Sequence, residues 1–382
     1  MQEYPHFDYS MRDVKRAGKV LAGALLYTPE TADSIKEAFS VANNWRDAHA
    51  FPMKSVRYTL MAHMRRRGIQ GLTAARLKRM PAIRRKLQRV HWDLDQLQDL
   101  GGCRAILATM DDVRALISVL QDSRHHIRQQ SAYIDKPKKD GYRSHHLMLD
   151  FVGRGTSTVF EGRRIEVQVR TGQQHSWATA VESVGLIRGE DLKAGKGSPR
   201  WLRLLQLMSA EFAYFEGCAE PPGVPSHPER VAEIKELDDE LEAAATLENI
   251  SNAVDYIETA IASSSKPSHY LIVYENKTRR VHVRPQFIPK NAVIEDDNAE
   301  AIDNKEDGDT FNVVLVEVDK IEHLKRAYPN YFGDVQLFRT NLQRIVKGKD
   351  LEPYSVVRQE VVAPRARELI NSDWLRRRYR EW

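Results

Sequence analysis

Residues 165–171 read IEVQVRT, residues 99–106 read DLGGCRAI and residues 133–146 read YIDKPKKDGYRSHH. The first of these decides the fold. Ile165, Val167 and Val169 alternate with Glu166 and Gln168, and a period of two places the polar pair on one face of a β-strand and the apolar set on the other. In the second stretch an acid, Asp99, opens a run of small and apolar residues, which puts a carboxylate at the start of a buried strand. The third is a lysine-rich loop with a glycine and an aromatic, a composition that suits phosphates and a flat ring. Together they describe a site for two polyphosphates, one giving part of itself to the other.

Working outward, residues 111–123 (DDVRALISVLQDS) read as a helix with Val113, Leu116 and Leu120 inward. SAYID, SHHLMLDFV and RRIEVQVR read as further strands, the last entered through a turn at Glu161 and Gly162. Strands interleaved with helices predict a mixed α/β layer on a sheet of about five strands. Upstream, residues 1–70 read as a helical extension. Thr28 is the expected N-cap of one helix, with Pro29 at its first position and Pro52 at its end; a second helix carries Val56, Leu60 and Met64 and stops at Gly68. Thr73 is the expected N-cap of a basic helix bearing Arg76, Lys78, Arg84, Lys86 and Arg89.

Downstream, residues 173–187 and 199–220 read as helices packing through Trp177, Val181, Leu202, Leu205 and Phe212. The Pro/Gly-rich EPPGVPSHP at 220–228 is the expected domain boundary. The expected domains are therefore residues 1–70, 71–220 and 229–382, the last an α/β accessory domain. It comprises a long helix, a hairpin turning at Asn276 and Lys277, a strand in TFNVVLVEVD, an acidic stretch at 294–309 and a basic amphipathic tail.

A chain of 382 residues has room for these domains, and 42% hydrophobic with 29% charged residues is an ordinary soluble composition. No apolar run approaches the ~18 residues of a membrane span. No basic head with an apolar block opens the sequence, and the two cysteines build neither a disulfide framework nor a zinc site, so a cytoplasmic protein is expected. The net charge of +5 is concentrated in arginine and lysine clusters at 65–89 and 365–380, which attract phosphates or serve as solvated helix faces.

Two carboxylates on neighbouring strands, Asp99 and Glu166, could share Mg²⁺, which prefers oxygen ligands and keeps its waters. Taken alone, Glu166 also reads as the exposed face of an edge strand, Tyr142 as a loop aromatic, His146 and His175 as structural histidines, and Arg104 as the partner of a core acid.

DLGGCRAI, YIDKPKKDGYRSHH and IEVQVRTGQQHSWA, preceded by the basic ARLKRMPAIRRKLQR, together resemble the RelA/SpoT-type alarmone synthetases over roughly residues 72–215. The resemblance implies a nucleotidyltransferase-like mixed sheet flanked by helices. It implies Mg²⁺-dependent transfer of pyrophosphate from ATP to the ribose 3′-hydroxyl of GDP or GTP, making (p)ppGpp and AMP. By motif position it makes Arg76 and Arg104 the pair that sandwiches adenine, and Lys78, Lys86, Arg89, Lys136, Lys138 and His146 the residues on the ATP phosphates. It makes Asp99 and Glu166 the metal ligands and Glu166 the base. Tyr142 becomes the aromatic under the acceptor guanine, with Gln168 and His175 on the same side.

Two departures stand out. The residues before Tyr133 are QQSA, without the charged signature that long members use to choose between GDP and GTP. Residues 1–70 also lack a histidine–aspartate pair suited to a hydrolase, so a synthetase without hydrolase activity is expected. A second class stays open: toxin-like relatives that pyrophosphorylate the tRNA 3′-end or make adenosine alarmones, restrained here by the C-terminal domain, through self-docking or a protein partner. A third is a nucleotide- or RNA-binding regulator with a dead site, against which Asp99 and Glu166 both argue. Small members of the family also assemble into homo-oligomers, and no interface is legible.

Overall fold

Alternation in IEVQVRT forms β5 (Arg164–Thr171), an interior strand of a sheet. It runs parallel to β2 (Gly101–Leu107) and antiparallel to β4 (His145–Asp150). Antiparallel pairings add β1 (Gly71–Leu77) beyond β2 and β3 (His126–Ala132) beyond β4. The computed structural model describes residues 4–26, 28–253, 255–258, 269–275, 280–286, 311–317 and 335–355. The four strands named from the sequence are there, joined by β1 where a basic helix was expected, in a mixed α/β arrangement, but the sheet continues. β6 (Asp255–Glu258), β7 (His269–Glu275), β8 (Arg280–Gln286) and β9 (Phe311–Glu317) extend it in the order β3-β4-β5-β2-β1-β9-β7-β8-β6. The seam between the two groups of strands is narrow: Ala75 pairs with Glu317 and Arg76 with Val316.

Register sorts the two faces. Ala75, Cys103, Val167 and Leu147 lie side by side across four strands, and all four belong to one apolar core. On that face α3 (Ala50–Arg67) contributes Met53, Val56 and Leu60, and α5 (Met110–Gln121) contributes Val113, Leu116 and Leu120. Each such side chain adds about 1.5–3 kcal/mol by leaving water. The opposite face carries Arg76, Gly102, Glu166 and Met148 in one row and Ala74, Arg104, Gln168 and His146 in the next.

Helices α1 (Met11–Ala22) and α2 (Ala32–Asp47) share a second core with α4 (Met80–Val90), through Val14, Leu21, Val41, Ile83 and Leu87. The basic helix is thus braced by the N-terminal extension, where Arg84 Nε also donates to the Leu21 carbonyl. Several boundaries differ from expectation. α2 begins at Ala32 after Thr31, because Thr28 and Thr31 hydrogen-bond each other in a preceding turn. Pro52 lies in the first turn of α3 rather than ending a helix, a position where its missing N–H removes no helical bond. Gly68 does end α3, in the left-handed region at φ 66. Thr73 caps nothing: it pairs with Ala105 inside β1, and α4 starts only at Met80 with Pro81 in its first turn. The strand expected at SAYID ends at Ala132, leaving Tyr133 in the loop.

The third core lies beyond β5. α6 (Gly172–Arg188) follows β5 without a loop, and α7 (Pro199–Phe215), α8 (His227–Leu241), α9 (Ala243–Ala253) and α10 (Gln336–Val346) gather around it. Trp177, Trp201, Leu205, Phe212, Ile234, Leu237, Leu247 and Phe338 form one cluster. The stretch at 220–228 therefore runs across a shared core, with apolar partners on both sides of it. The long helix expected from residue 229 breaks at Glu242, φ 46, and its end becomes β6. The hairpin expected at 269–286 is present as β7 and β8; its turn, the acidic stretch at 294–309 and the basic tail lie outside the described residues. Among the described residues no helix is long and apolar enough to cross a membrane.

Candidate active site

Asp99 stands two residues before β2, on a short irregular stretch. Its carboxylate meets Lys78 Nζ at 2.9 Å and Lys86 Nζ at 2.9 Å. Lys78 follows β1 directly and Lys86 lies on α4, so three consecutive pieces of chain converge on one acid. Burial raises the Asp99 pKa, but the two ammonium groups outweigh it and hold the carboxyl below its ordinary value. Lys78 is shifted the other way: burial, helped by Lys86 and Arg76, draws it below the usual lysine value against the pull of Asp99.

Glu166 sits inside β5 in a different setting. Its Oε1 is 2.9 Å from His146 Nδ1, and its Oε2 accepts from Gln168 Nε2 at 2.9 Å. Burial and the Asp99 charge raise its pKa, while the His146 and Gln168 hydrogen bonds lower it, His146 contributing most; the result is a carboxylate below its ordinary value. The Asp99 charge thus reaches Glu166 and links the two acids electrostatically. Tyr142 closes the row, with its hydroxyl 2.7 Å from His146 Nε2.

The loop carrying Tyr142 is held from below. Gly141 adopts φ 95, and a Cβ there would meet Ser209 and Trp177 at 3.0 and 3.1 Å, so only glycine fits the turn. Arg143 is buried and ion-paired with Glu216, which also accepts from Thr171 Oγ1 and, at 3.1 Å, from Gln174 Nε2. One acid at the end of α7 thus ties the tyrosine loop to the end of β5.

The structure brings Asp99, Lys78 and Lys86 into one group and Glu166, Gln168, His146 and Tyr142 into another. Arg76 and Arg104 stand on adjacent strands of the same face, and their charges act on Glu182 of α6. Glu182 donates nothing and accepts from Lys193 Nζ at 3.0 Å; the charges of Lys193, Arg76 and Arg104 overcome its burial and take its pKa down to about 2. Lys138 Nζ lies over the rings of Tyr133 and Tyr142, at 4.6 and 5.2 Å. His175 is buried in the first turn of α6. Arg89 and Lys136 are exposed and, among the described residues, share no ion pair with either group. Sequence reasoning passed over Tyr133, Glu182 and Glu216. Tyr133 was legible as the ring beside the lysine loop; Glu182 and Glu216 carried no local signal.

The donor set suits a hard divalent cation of the magnesium type. The two carboxylates lie near enough for the Asp99 charge to act on Glu166, and among the described residues no group of three or more His, Cys, Asp or Glu is gathered to form an all-protein cage. Magnesium is commonly held by one or two carboxylates with substrate phosphates and water completing the octahedron.

Residues 75–184 match the family model described as the region found in RelA and SpoT proteins. The chain carries a RelA/SpoT-type region. The match runs from the end of β1 through most of α6, which includes both groups of side chains. The GTP pyrophosphokinase of Escherichia coli strain K12 is 25% identical over 179 residues, 47% of this chain and 20% of its own length. GTP pyrophosphokinase YwaC of Bacillus subtilis is 30% identical over 119 residues, 29% of this chain and 56% of its own length. The chain therefore spans a fifth of the first relative and about half of the second. Among solved structures, small alarmone synthetase 2 of Bacillus subtilis aligns with a TM-score of 0.39 at 21% identity, over 44% of this chain and 92% of the other. Small alarmone synthetase 1 of the same organism, bound to its product pppGpp, aligns with a TM-score of 0.38 at 19% identity, over 51% and 95%.

Proposed function

We propose that this RelA/SpoT-type protein is an ATP pyrophosphokinase that transfers a diphosphate to the ribose 3′-hydroxyl of GDP or GTP. The observation that carries the reading is the pair Asp99 and Glu166, two half-buried ionised carboxylates on adjoining β-segments in contrasting company. Lysines grip the first, and a histidine and an amide hydrogen-bond the second.

In this reading the ATP phosphates compete with Asp99 for Lys78 and Lys86, and Lys138 comes to them from the tyrosine rings. Arg76 and Arg104 stack on adenine, a task planar guanidinium groups perform without losing charge. Tyr142 stacks on the acceptor base. Glu166 accepts the proton of the 3′-hydroxyl as its oxygen bonds to the β-phosphorus and the bond from that phosphorus to the α,β-bridging oxygen breaks, releasing AMP. Mg²⁺, when bound by Asp99 and Glu166, would neutralise charge on the transferring group. Holding the two nucleotides in line can remove on the order of 7–11 kcal/mol of barrier.

The test is AMP release from ATP in the presence of GDP, GTP, a second ATP or deacylated tRNA, with and without Mg²⁺. AMP formed with GDP or GTP, and lost on chelation, supports the reading. AMP formed only with tRNA or adenosine nucleotide replaces the acceptor, and no AMP with any of them overturns the enzyme.

A further inference from the structure

Glu166 is the one acid of the pair without a lysine or arginine at hydrogen-bond distance among the described residues, yet its carboxylate is firmly placed. The His146 and Glu166 side chains are only 16% and 15% exposed. Because Glu166 is ionised and can only accept, the hydrogen bond at 2.9 Å requires His146 Nδ1 to carry the proton. In the neutral imidazole His146 Nε2, 2.7 Å from the Tyr142 hydroxyl, is then left to accept from it. Burial keeps that phenol protonated, above its ordinary pKa. The three groups form a directed chain from Tyr142 through His146 to Glu166.

Ring packing holds the middle member. Tyr133 meets His146 edge-on at 5.5 Å and 84°, and meets Tyr142 at 5.9 Å and 68°. Tyr142 itself meets His146 at 5.7 Å and 77°. An imidazole held between two perpendicular rings cannot turn over without disturbing both.

We propose that the Tyr142 hydroxyl and the edge of Tyr133 are positioning elements for Glu166. They lock His146 in the tautomer that donates to the carboxylate, which assigns His146 to the acceptor side of the site and not to the ATP phosphates. The proposal rests on the pyrophosphokinase reading for its kinetic consequence but not for its geometry. It also separates two duties of one residue: the Tyr142 ring is the group assigned to stack on a base, while its hydroxyl sets the carboxylate that receives the proton. The donor found two atoms away in an imidazole is the arrangement by which outer partners orient ligating groups elsewhere.

The full-length protein tests this in two ways. In the AMP-release assay, Tyr142→Phe keeps the ring and loses the hydroxyl; kcat should fall by about tenfold or more while the KM for GDP or GTP stays within about twofold. Tyr133→Leu should move kcat in the same direction by a smaller factor. His146→Asn, whose amide N–H stands in for Nδ1–H, should recover part of the rate lost in His146→Ala. Independently of turnover, nitrogen-15 spectra of the histidine rings should show His146 protonated at Nδ1 and bare at Nε2, with that preference lost in Tyr142→Phe. Wild-type kcat in Tyr142→Phe, or an unchanged His146 tautomer in that variant, overturns the proposal. If the wild-type chain releases no AMP with either guanosine nucleotide, the pyrophosphokinase reading falls, and the ring spectra still decide the positioning role.

Discussion

Glu166 and Val167 are neighbours in one strand and belong to different worlds. Val167 lies with Cys103 and Leu147 in a core sealed by α3 and α5. Glu166 looks the other way, into a row of arginine, histidine and carboxylate. The same five strands therefore serve as a packing surface on one side and as a mounting plate on the other. Such a plate suits chemistry, because the strands are immobilised by the face that does none.

If the division is real, paired substitutions separate it. Glu166→Gln, on the mounted face, should lower turnover by about 10²–10⁴-fold while ATP affinity and melting temperature stay near wild type; steady-state AMP release with calorimetric ATP titration checks it. Retained turnover would remove Glu166 from the chemistry. Val167→Ala, one residue on, should reverse the pattern. It should lower unfolding free energy by about 2–3 kcal/mol in urea titrations and leave kcat at 20 °C nearly unchanged.

Acid should act first through the packed side. His49 is buried beneath the start of β2 and donates from Nδ1 to the Trp45 carbonyl at 2.8 Å. Burial, with a smaller push from Arg163 and Arg164, lowers its pKa from 6.5 to about 3. The unfolded chain binds this proton more readily, so the contribution is complete above pH 6.5 and is lost as pH falls toward 3. Between pH 6.5 and about pH 4.5 the loss should be on the order of 2 kcal/mol. His49→Asn, which keeps a donor but does not titrate, should flatten that part of the stability profile. The smallest effect belongs to the junction between strand and helix. A Cβ at Gly172 would fall within 1.8 Å of the Tyr354 ring, so Gly172→Ala should cost about 1 kcal/mol and speed proteolysis after residue 335.

Much of the mounted face was legible because a two-residue period needs no partner to interpret. IEVQVR announces which side chains share a side, and DLGGCRAI announces an acid at a strand's threshold. Local signals failed where pairing overrode them. Thr73 resembles a helix cap, yet seven residues of β1 pair with β2 and the helix waits until Met80. The Glu216 clamp was invisible for another reason: it joins residues 73 and 45 positions apart, to Arg143 and Thr171. Tyr133 was passed over as a residue within the strand expected at SAYID, whereas that strand ends at Ala132 and frees the ring to reach His146.

One practical consequence follows from the way α10 seats on α6. Val335, Phe338, Leu342, Ile345 and Leu351 complete the cluster built by Trp177, Leu205 and Phe212, and Asn341 joins Gln173 at 3.1 Å. A fragment trimmed near residue 220 would retain the whole matched region and yet present that greasy flank bare. Poor solubility in such a fragment would report on its missing lid of side chains, and a silent assay on it would say little about the intact chain.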